Sequence, residues 1–386
     1  MRLTPGQLKS ERTTTANSTF AIGGVSCSAD SLVVAESFVL RIKFSGKNPA
    51  HRNSAKRYVP LLRTEQILSD RNKMNHTIKV AAAQASPVFL NKIKTVDKAC
   101  NIIKQAGANK AKLVVFPEAF VAAYPDWIWL LPNSKSNELN QLYIELVKNA
   151  ITIPDDCTKK LCQAAKEAGV FVVIGVNELN DEASNNSLYN TILFIDDNGK
   201  ILGKHRKLIP TGGERLIWSQ GDGSTINVFD TSIGKLSGLI CWENFMPLAR
   251  HALYAMGTQI YSAPTWDKSA NWITSMQHIA REGGVFVISC CMVLKKDEIP
   301  EEYDLKKLYP LDREWINTGN SCIINPKGEI IAGPVEAREE ILYADLDLRK
   351  ITSAKRIFDA AGHYARPDVF KFTLNKKTNN NIDITD

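Results

Sequence analysis

Several things are missing from this 386-residue chain, and each absence removes a class of function. No apolar run reaches the length of a bilayer span, so nothing argues for a membrane helix. There is no glycine-rich loop ending in Lys-Ser or Lys-Thr and no His-Glu-x-x-His, which leaves phosphate-loop and zincin chemistry without a foothold. The eight cysteines, at 27, 100, 157, 162, 241, 290, 291 and 322, form no metal-ligand pairs and no regular framework. Such an irregular set suits a reducing compartment better than a disulfide scaffold, and the expected location is cytoplasmic. Histidine is scarce, and His205, His251 and His278 follow none of the local signatures of Cys–His hydrolases.

An excess of charge is missing where it would matter. The chain has 48 basic and 41 acidic side chains, but residues 1–75 hold 12 of the former and 5 of the latter. The remaining 36 and 36 balance, so the body of the protein offers no electrostatic case for nucleic acid. Residues 1–73, rich in Ser, Thr, Asn, Lys and Arg, read as an extension, either disordered or lying upstream of a natural start at Met74. Targeting is disfavoured by Glu11, Asp30 and Glu36. The folded unit is expected over 74–372, with a polar, loose tail over 373–386.

What is present is an alternation of short apolar runs and helical patterns. Runs at 77–86, 113–116, 170–176, 236–240, 259–263, 285–293 and 341–346 read as strands, mostly buried on both faces. Helical periodicity covers about 91–105, 137–149, 154–168, 248–256, 270–282 and 351–359. Two hairpins turn at Asp196-Asp-Asn-Gly and at Pro326-Lys-Gly, and their similar text hints at an internally duplicated plan. The pattern predicts a layered α/β fold with a mixed sheet.

Three reactive residues share one placement. Glu118, Lys207 and Cys241 each lie just past the end of a short apolar run, and strand ends gather at one rim of a layered α/β fold. A carboxylate can take a thiol proton, an ammonium can stabilise developing negative charge, and a thiolate can attack an electrophilic carbon. Cys241 sits between Leu239-Ile240 and a helix opened by Pro247, so the helix mouth is expected to favour its thiolate. Taken alone, each has a bland reading. Cys241 is then a buried core thiol, Glu118 a helix-start carboxylate, Lys207 one solvated lysine in Lys204-His205-Arg206-Lys207, and Glu214 a surface partner of Arg215.

The surrounding text decides between these. Val115-Phe-Pro-Glu118-Ala-Phe120, Arg206-Lys207-Leu-Ile-Pro-Thr211 continuing through Glu214-Arg215 and Trp218, and Cys241-Trp-Glu-Asn244 resemble, in order, the glutamate, lysine and cysteine motifs of the nitrilase superfamily. Cys-Trp-Glu, and the Gly362-His-Tyr-Ala-Arg-Pro367 signature, are similar to the nitrilase branch rather than the amidases. Thr211-Gly212-Gly213 departs from the bulkier residues of many relatives. The resemblance implies a four-layer α-β-β-α sandwich that pairs through a helical face, with spiral assemblies of the dimer common, and neither metal nor organic cofactor.

It also implies a mechanism on a small-molecule nitrile. Glu118 is the general base, Cys241 the nucleophile, Lys207 and the Trp242 backbone N–H stabilise negative charge, and Glu214 holds Lys207. A nitrile pocket should be an aromatic slot, for which Tyr124, Trp127, Trp129 and Trp266 are candidates, with Thr265 beside them and Glu243 either lining the pocket or orienting the turn. For each tryptophan the competing reading is core or interface packing. The alternatives are an amidase or carbamoylase, a cyanide-hydrolysing enzyme, and a non-catalytic binding member. The last is disfavoured by the intact reactive set.

Overall fold

The computed structural model describes residues 77–379 apart from Ala183; the expected extension over 1–73 lies outside the described residues. Among the described residues, thirteen strands form two sheets. The first holds β1 (Thr77–Gln84), β2 (Leu113–Val115), β3 (Phe171–Leu179), β4 (Leu188–Ile195) and β5 (Ile201–Arg206). The second holds β6 (Phe229–Thr231), β7 (Gly234–Gly238), β8 (Ile260–Thr265), β9 (Phe286–Cys291), β10 (Val293–Lys295), β11 (Trp315–Ile324) and β12 (Ile330–Glu336). The chain then returns to the first sheet through β13 (Glu340–Asp347), which pairs antiparallel with β1.

The duplicated plan hinted at by the two hairpins is visible in the pairing. β1-β2-β3 are parallel and continue antiparallel through β4 and β5. β7-β8-β9 are likewise parallel and continue antiparallel through β11 and β12. The apolar run 285–293 breaks at Met292, so that its end, β10, pairs with β11 instead of extending β9.

Three apolar layers hold the sandwich together. Strand alternation sends Ala81, Ala83 and Val114 outward from the first sheet, against α1 (Lys92–Ala108) and α3 (Asp156–Ala168). Their neighbours Val80, Ala82, Leu113 and Val115 face Ile260, Phe286 and Ile288 of the second sheet. The far side of that sheet packs on α4 (Pro247–Ala255) and α5 (Ala270–Gly283) through Leu253, Met276 and Ile279. This is the four-layer α-β-β-α sandwich. α2 (Ser136–Lys148) and α6 (Arg349–Ile357) complete the helices of the described residues.

Local signals set the helix ends. Asp155 and Thr158 form a reciprocal cap on α3, which stops at left-handed Gly169. The Ser269 side chain caps α5, which stops at left-handed Gly284. The polar stretch from 373, expected to be loose, is docked as far as it is described. The Asn379 N–H donates to Asp222 Oδ2 (2.7 Å) and Lys376 Nζ to Asn227 Oδ1 (2.6 Å).

Candidate active site

Glu118 lies in the loop after β2, and that loop rests directly on β3. Gly175 makes this approach possible, since a Cβ there would meet Pro117 O at 2.2 Å and Ala119 N at 2.6 Å. Ala119, Ala122 and Ala123 all have positive φ, so the loop is held in a conformation the chain does not prefer. The Asn177 side chain fixes it by donating to the Val121 and Ala123 carbonyls, both at 3.0 Å.

Lys207 follows β5, its backbone N–H donating to Asn190 O (2.8 Å) and its own carbonyl accepting from Gly221 N (2.9 Å). Its ammonium is fully buried between two carboxylates, donating to Glu118 Oε1 and Glu214 Oε2 at 2.8 Å each. Asn190 Nδ2 also donates to Glu118 Oε1 (2.7 Å), and the Trp266 backbone N–H donates to Oε2 (2.8 Å). Three of the four lone-pair sites of Glu118 are thereby used, and the one left open is on Oε2. Glu214 is held by the Tyr124 hydroxyl (2.6 Å) and the Thr211 N–H (2.7 Å), and Trp129 Nε1 donates to Tyr124 Oη (3.0 Å).

Cys241 comes from the opposite sheet. It opens a 3₁₀ turn, Cys241–Phe245, at φ +50°, a left-handed conformation uncommon for anything but glycine. The turn is pinned by Asn244, whose Nδ2 donates to Leu239 O (3.0 Å) and Cys241 O (2.8 Å) while its Oδ1 accepts from Tyr261 (2.7 Å). The Thr265 hydroxyl, at the end of β8, donates to Cys241 Sγ (3.3 Å).

The ionisation expected at the helix mouth is corrected here. The α-helix begins only at Pro247, beyond the 3₁₀ turn, and Cys241 is buried. Burial first, then the Glu118 carboxylate, push its thiol well above the ordinary range, against the opposing pull of Lys207. Both effects favour the thiol over the thiolate. Burial works against the Lys207 ammonium, but Glu118, Cys241 and Glu214 together keep its pKa above normal. Burial raises the Glu118 carboxyl, Lys207 opposes, and Glu214 adds to the rise. A poised base beside an un-ionised thiol can accept its proton as the sulfur attacks.

The remaining predicted residues separate into two groups. Trp266 stacks on Tyr124 (centroids 4.6 Å apart, planes 7° apart) and donates from Nε1 to Asp126 Oδ1 (3.2 Å), so both rings border the Glu118–Glu214 centre. Trp127 instead packs edge-to-face on Phe89 in the outer core and takes no part in the hydrogen-bonded cluster. The Trp242 side chain is half-exposed and donates to Asp267 Oδ2 (2.8 Å). Glu243 is buried and spends its carboxylate on His205, Leu208 N and Ile240 N, which makes it a tie within the protein. Burial raises its pKa, but His205 and the two backbone donors bring it below the usual carboxylate range.

Two participants were not singled out from sequence, Asn190 and His205. An asparagine inside the apolar run Tyr189–Ile195 is the signal that could have found the first. For the second there was only its place in a basic run, which reads as surface.

The whole sandwich, residues 79–356, matches the model of the carbon-nitrogen hydrolase family. The chain is 42% identical over 307 residues to Nitrilase 1 of Arabidopsis thaliana, covering 78% of this chain and 87% of that protein. It is 41% identical over 316 residues to Nitrilase blr3397 of Bradyrhizobium diazoefficiens, covering 80% and 95% respectively. Among solved structures, Saccharomyces cerevisiae Nit3 superimposes with a TM-score of 0.59 at 23% identity, covering 75% of this chain and 96% of that one, a likeness of fold. The chain belongs to the carbon-nitrogen hydrolase family, within its nitrilase branch.

Proposed function

We propose that the protein is a nitrilase, hydrolysing an organic nitrile to the carboxylic acid and ammonia through covalent intermediates on Cys241. The observation that carries the assignment of roles is the buried Glu118–Lys207–Glu214 cluster acting on the Cys241 thiol, two carboxylates around one ammonium. Glu118, through the open lone pair on Oε2, takes the thiol proton as sulfur adds to the nitrile carbon, and the proton passes to the nitrile nitrogen. The product is a thioimidate. Lys207 and the Trp242 backbone N–H stabilise the charge that develops on nitrogen and later on oxygen. Water, losing its proton to Glu118, adds to the carbon. Protonated nitrogen leaves as ammonia, and a thioester remains. A second water releases the acid and restores the thiol. If the tetrahedral intermediate expels the thiol instead of ammonia, the product is the amide.

Tyr124 and Trp266 are the aromatic walls of this reading, with Thr265 steadying the sulfur. The same reading includes a homo-oligomer paired through a helical face. Leu248 on α4 is 68% exposed, with half-exposed Trp242 and Phe245 in the turn before it, and such apolar exposure supports a partner there. Cytoplasmic residence is supported by the seven described cysteines, all free thiols.

The test is ammonia release by purified protein and by Cys241→Ala from an arylacetonitrile, a benzonitrile, an aliphatic dinitrile, cyanide and the matching amides. Nitrile turnover, lost in a folded Cys241→Ala, is the expected result. Turnover of amides alone moves the reaction to the amidase class, and hydrolysis by the folded alanine variant rejects Cys241 as nucleophile.

A further inference from the structure

The two halves of the centre come from different sheets. Lys207 follows β5 of the first, and Cys241 follows β7 of the second. Glu243 links the two. Its Oε1 accepts from the backbone N–H of Leu208 (2.7 Å), the residue directly after Lys207. Its Oε2 accepts from the backbone N–H of Ile240 (2.9 Å), the residue directly before Cys241. The third donor is His205 Nε2, placed between both oxygens at 3.0 and 2.9 Å. His205 is itself fixed, with Nδ1 3.2 Å from Thr225 Oγ1, a hydroxyl that also accepts from the Arg206 N–H (3.3 Å). Glu243, His205 and Ile240 are buried, and Leu208 and Thr225 are partly so.

We propose that Glu243, with His205 as its third donor, is a positioning residue that sets the distance and angle between Lys207 and Cys241 across the two sheets. The proposal rests on the roles assigned above to those two residues. A carboxylate suits the task because it is an acceptor only, and three converging N–H groups demand one. Each donor lies within two residues of Lys207 or next to Cys241, so a shift of the carboxylate moves both reactive groups together. Cys241 needs such support. At φ +50° the turn does not hold its shape by local preference, and Asn244 ties it only to itself and to β8.

Three variants test this: His205→Met, which removes the donor, His205→Gln, which keeps an N–H within reach, and Glu243→Gln, which turns a donor toward a donor. Two readouts are needed besides the melting temperature. The first is kcat and KM on the best nitrile. The second is the rate at which iodoacetamide alkylates Cys241, followed on its own peptide by mass spectrometry, which needs no substrate. Misplacement of reacting groups by an ångström costs about 100-fold, so His205→Met and Glu243→Gln are expected to lose about that factor in kcat with KM held within about threefold. Alkylation of Cys241 should slow by about tenfold in the same two, while His205→Gln recovers to within about tenfold of wild type in kcat.

If the variants melt earlier but keep the wild-type kcat and alkylation rate, the tie is structural only and the proposal fails. If the wild-type protein turns over no nitrile, the proposed function fails instead, and the alkylation rates still decide the positioning role. Should a variant not fold, Thr225→Val, which frees His205 Nδ1 and the Arg206 N–H but leaves the three donors to Glu243 in place, substitutes for it with an expected loss in kcat of about threefold to tenfold. An unchanged kcat in that folded variant overturns the proposal.

Discussion

Four consecutive residues, Lys204 to Lys207, feed two charge clusters that differ in charge balance and in access to solvent. Lys204 and Arg206 leave β5 on one face and meet Glu178, with Glu182 completing the set. His205 and Lys207 leave on the other and meet Glu243, Glu118 and Glu214. In the first cluster two cations face two carboxylates, Thr191 donates to Glu178 as well, and Lys204 and Glu182 reach solvent. In the second, one ammonium faces Glu118 and Glu214, both carboxylates are buried, and an un-ionised thiol stands beside them. Among Lys207, Glu118 and Glu214 the formal surplus is one negative charge, which a fold selected only for stability would avoid. It is also what leaves a carboxylate free to take up a proton. Balance marks the structural cluster, and imbalance the one proposed to react.

Breaking each cluster in turn sharpens this contrast. The largest effect belongs to Lys207→Met, which leaves two buried carboxylates without their cation. It should cost about 3–5 kcal/mol in stability, read by urea unfolding, and remove detectable ammonia release. Glu118→Gln comes next. It should lower kcat by about 100-fold to 10,000-fold, yet leave stability unchanged or higher, since the remaining Lys207–Glu214 pair is balanced. Glu178→Gln reverses the pattern, costing about 3 kcal/mol while activity per folded molecule stays within a few-fold of wild type. Equal stability losses in the two glutamine variants would refute the contrast.

Acid and base should also act in opposite directions on the two clusters. Burial raises the Glu178 carboxyl, but Arg206 and Lys204 bring it below the ordinary range. Its stabilisation is therefore present above the unfolded pKa and lost as pH falls through the lower folded value. Glu118 is raised, so the folded state holds its proton more tightly than the unfolded chain does. That contribution is present below the unfolded pKa and lost as pH rises through the folded value. Unfolding free energies against pH should thus lose acid sensitivity in Glu178→Gln and gain it in Glu118→Gln. The smallest effect is expected from Thr265→Val, which removes the hydroxyl donated to Sγ. A cost of about 1 kcal/mol corresponds to a fall in kcat of about fivefold.

Much of this was legible in the sequence, because apolar runs, caps and turn residues report local structure. That Glu118, Lys207 and Cys241 would gather at one place was legible from their placement after strands and from the motif text around them. What could not be read depends on register between distant strands. Residues 205 and 243 meet only because β5 and the turn after β7 end at the same height in facing sheets. The basic run looked like surface because composition was read without alternation, which buries His205 and Lys207 together. The surroundings of the cysteine were misread for a geometric reason: a 3₁₀ turn and burial stand where an α-helix mouth was expected.

The alternation along β5 has an evolutionary corollary. Between Ile201 and Lys207, one deleted residue would carry Lys207 into the place of Arg206 beside Glu178, and one inserted residue would carry Arg206 into the place of Lys207. An arginine there has the charge but a planar fork in place of a compact point donor. This stretch can therefore drift in composition more readily than in length. Among homologues, gaps should collect in the 196–199 turn and stop short of Gly203, even where the residues between are replaced.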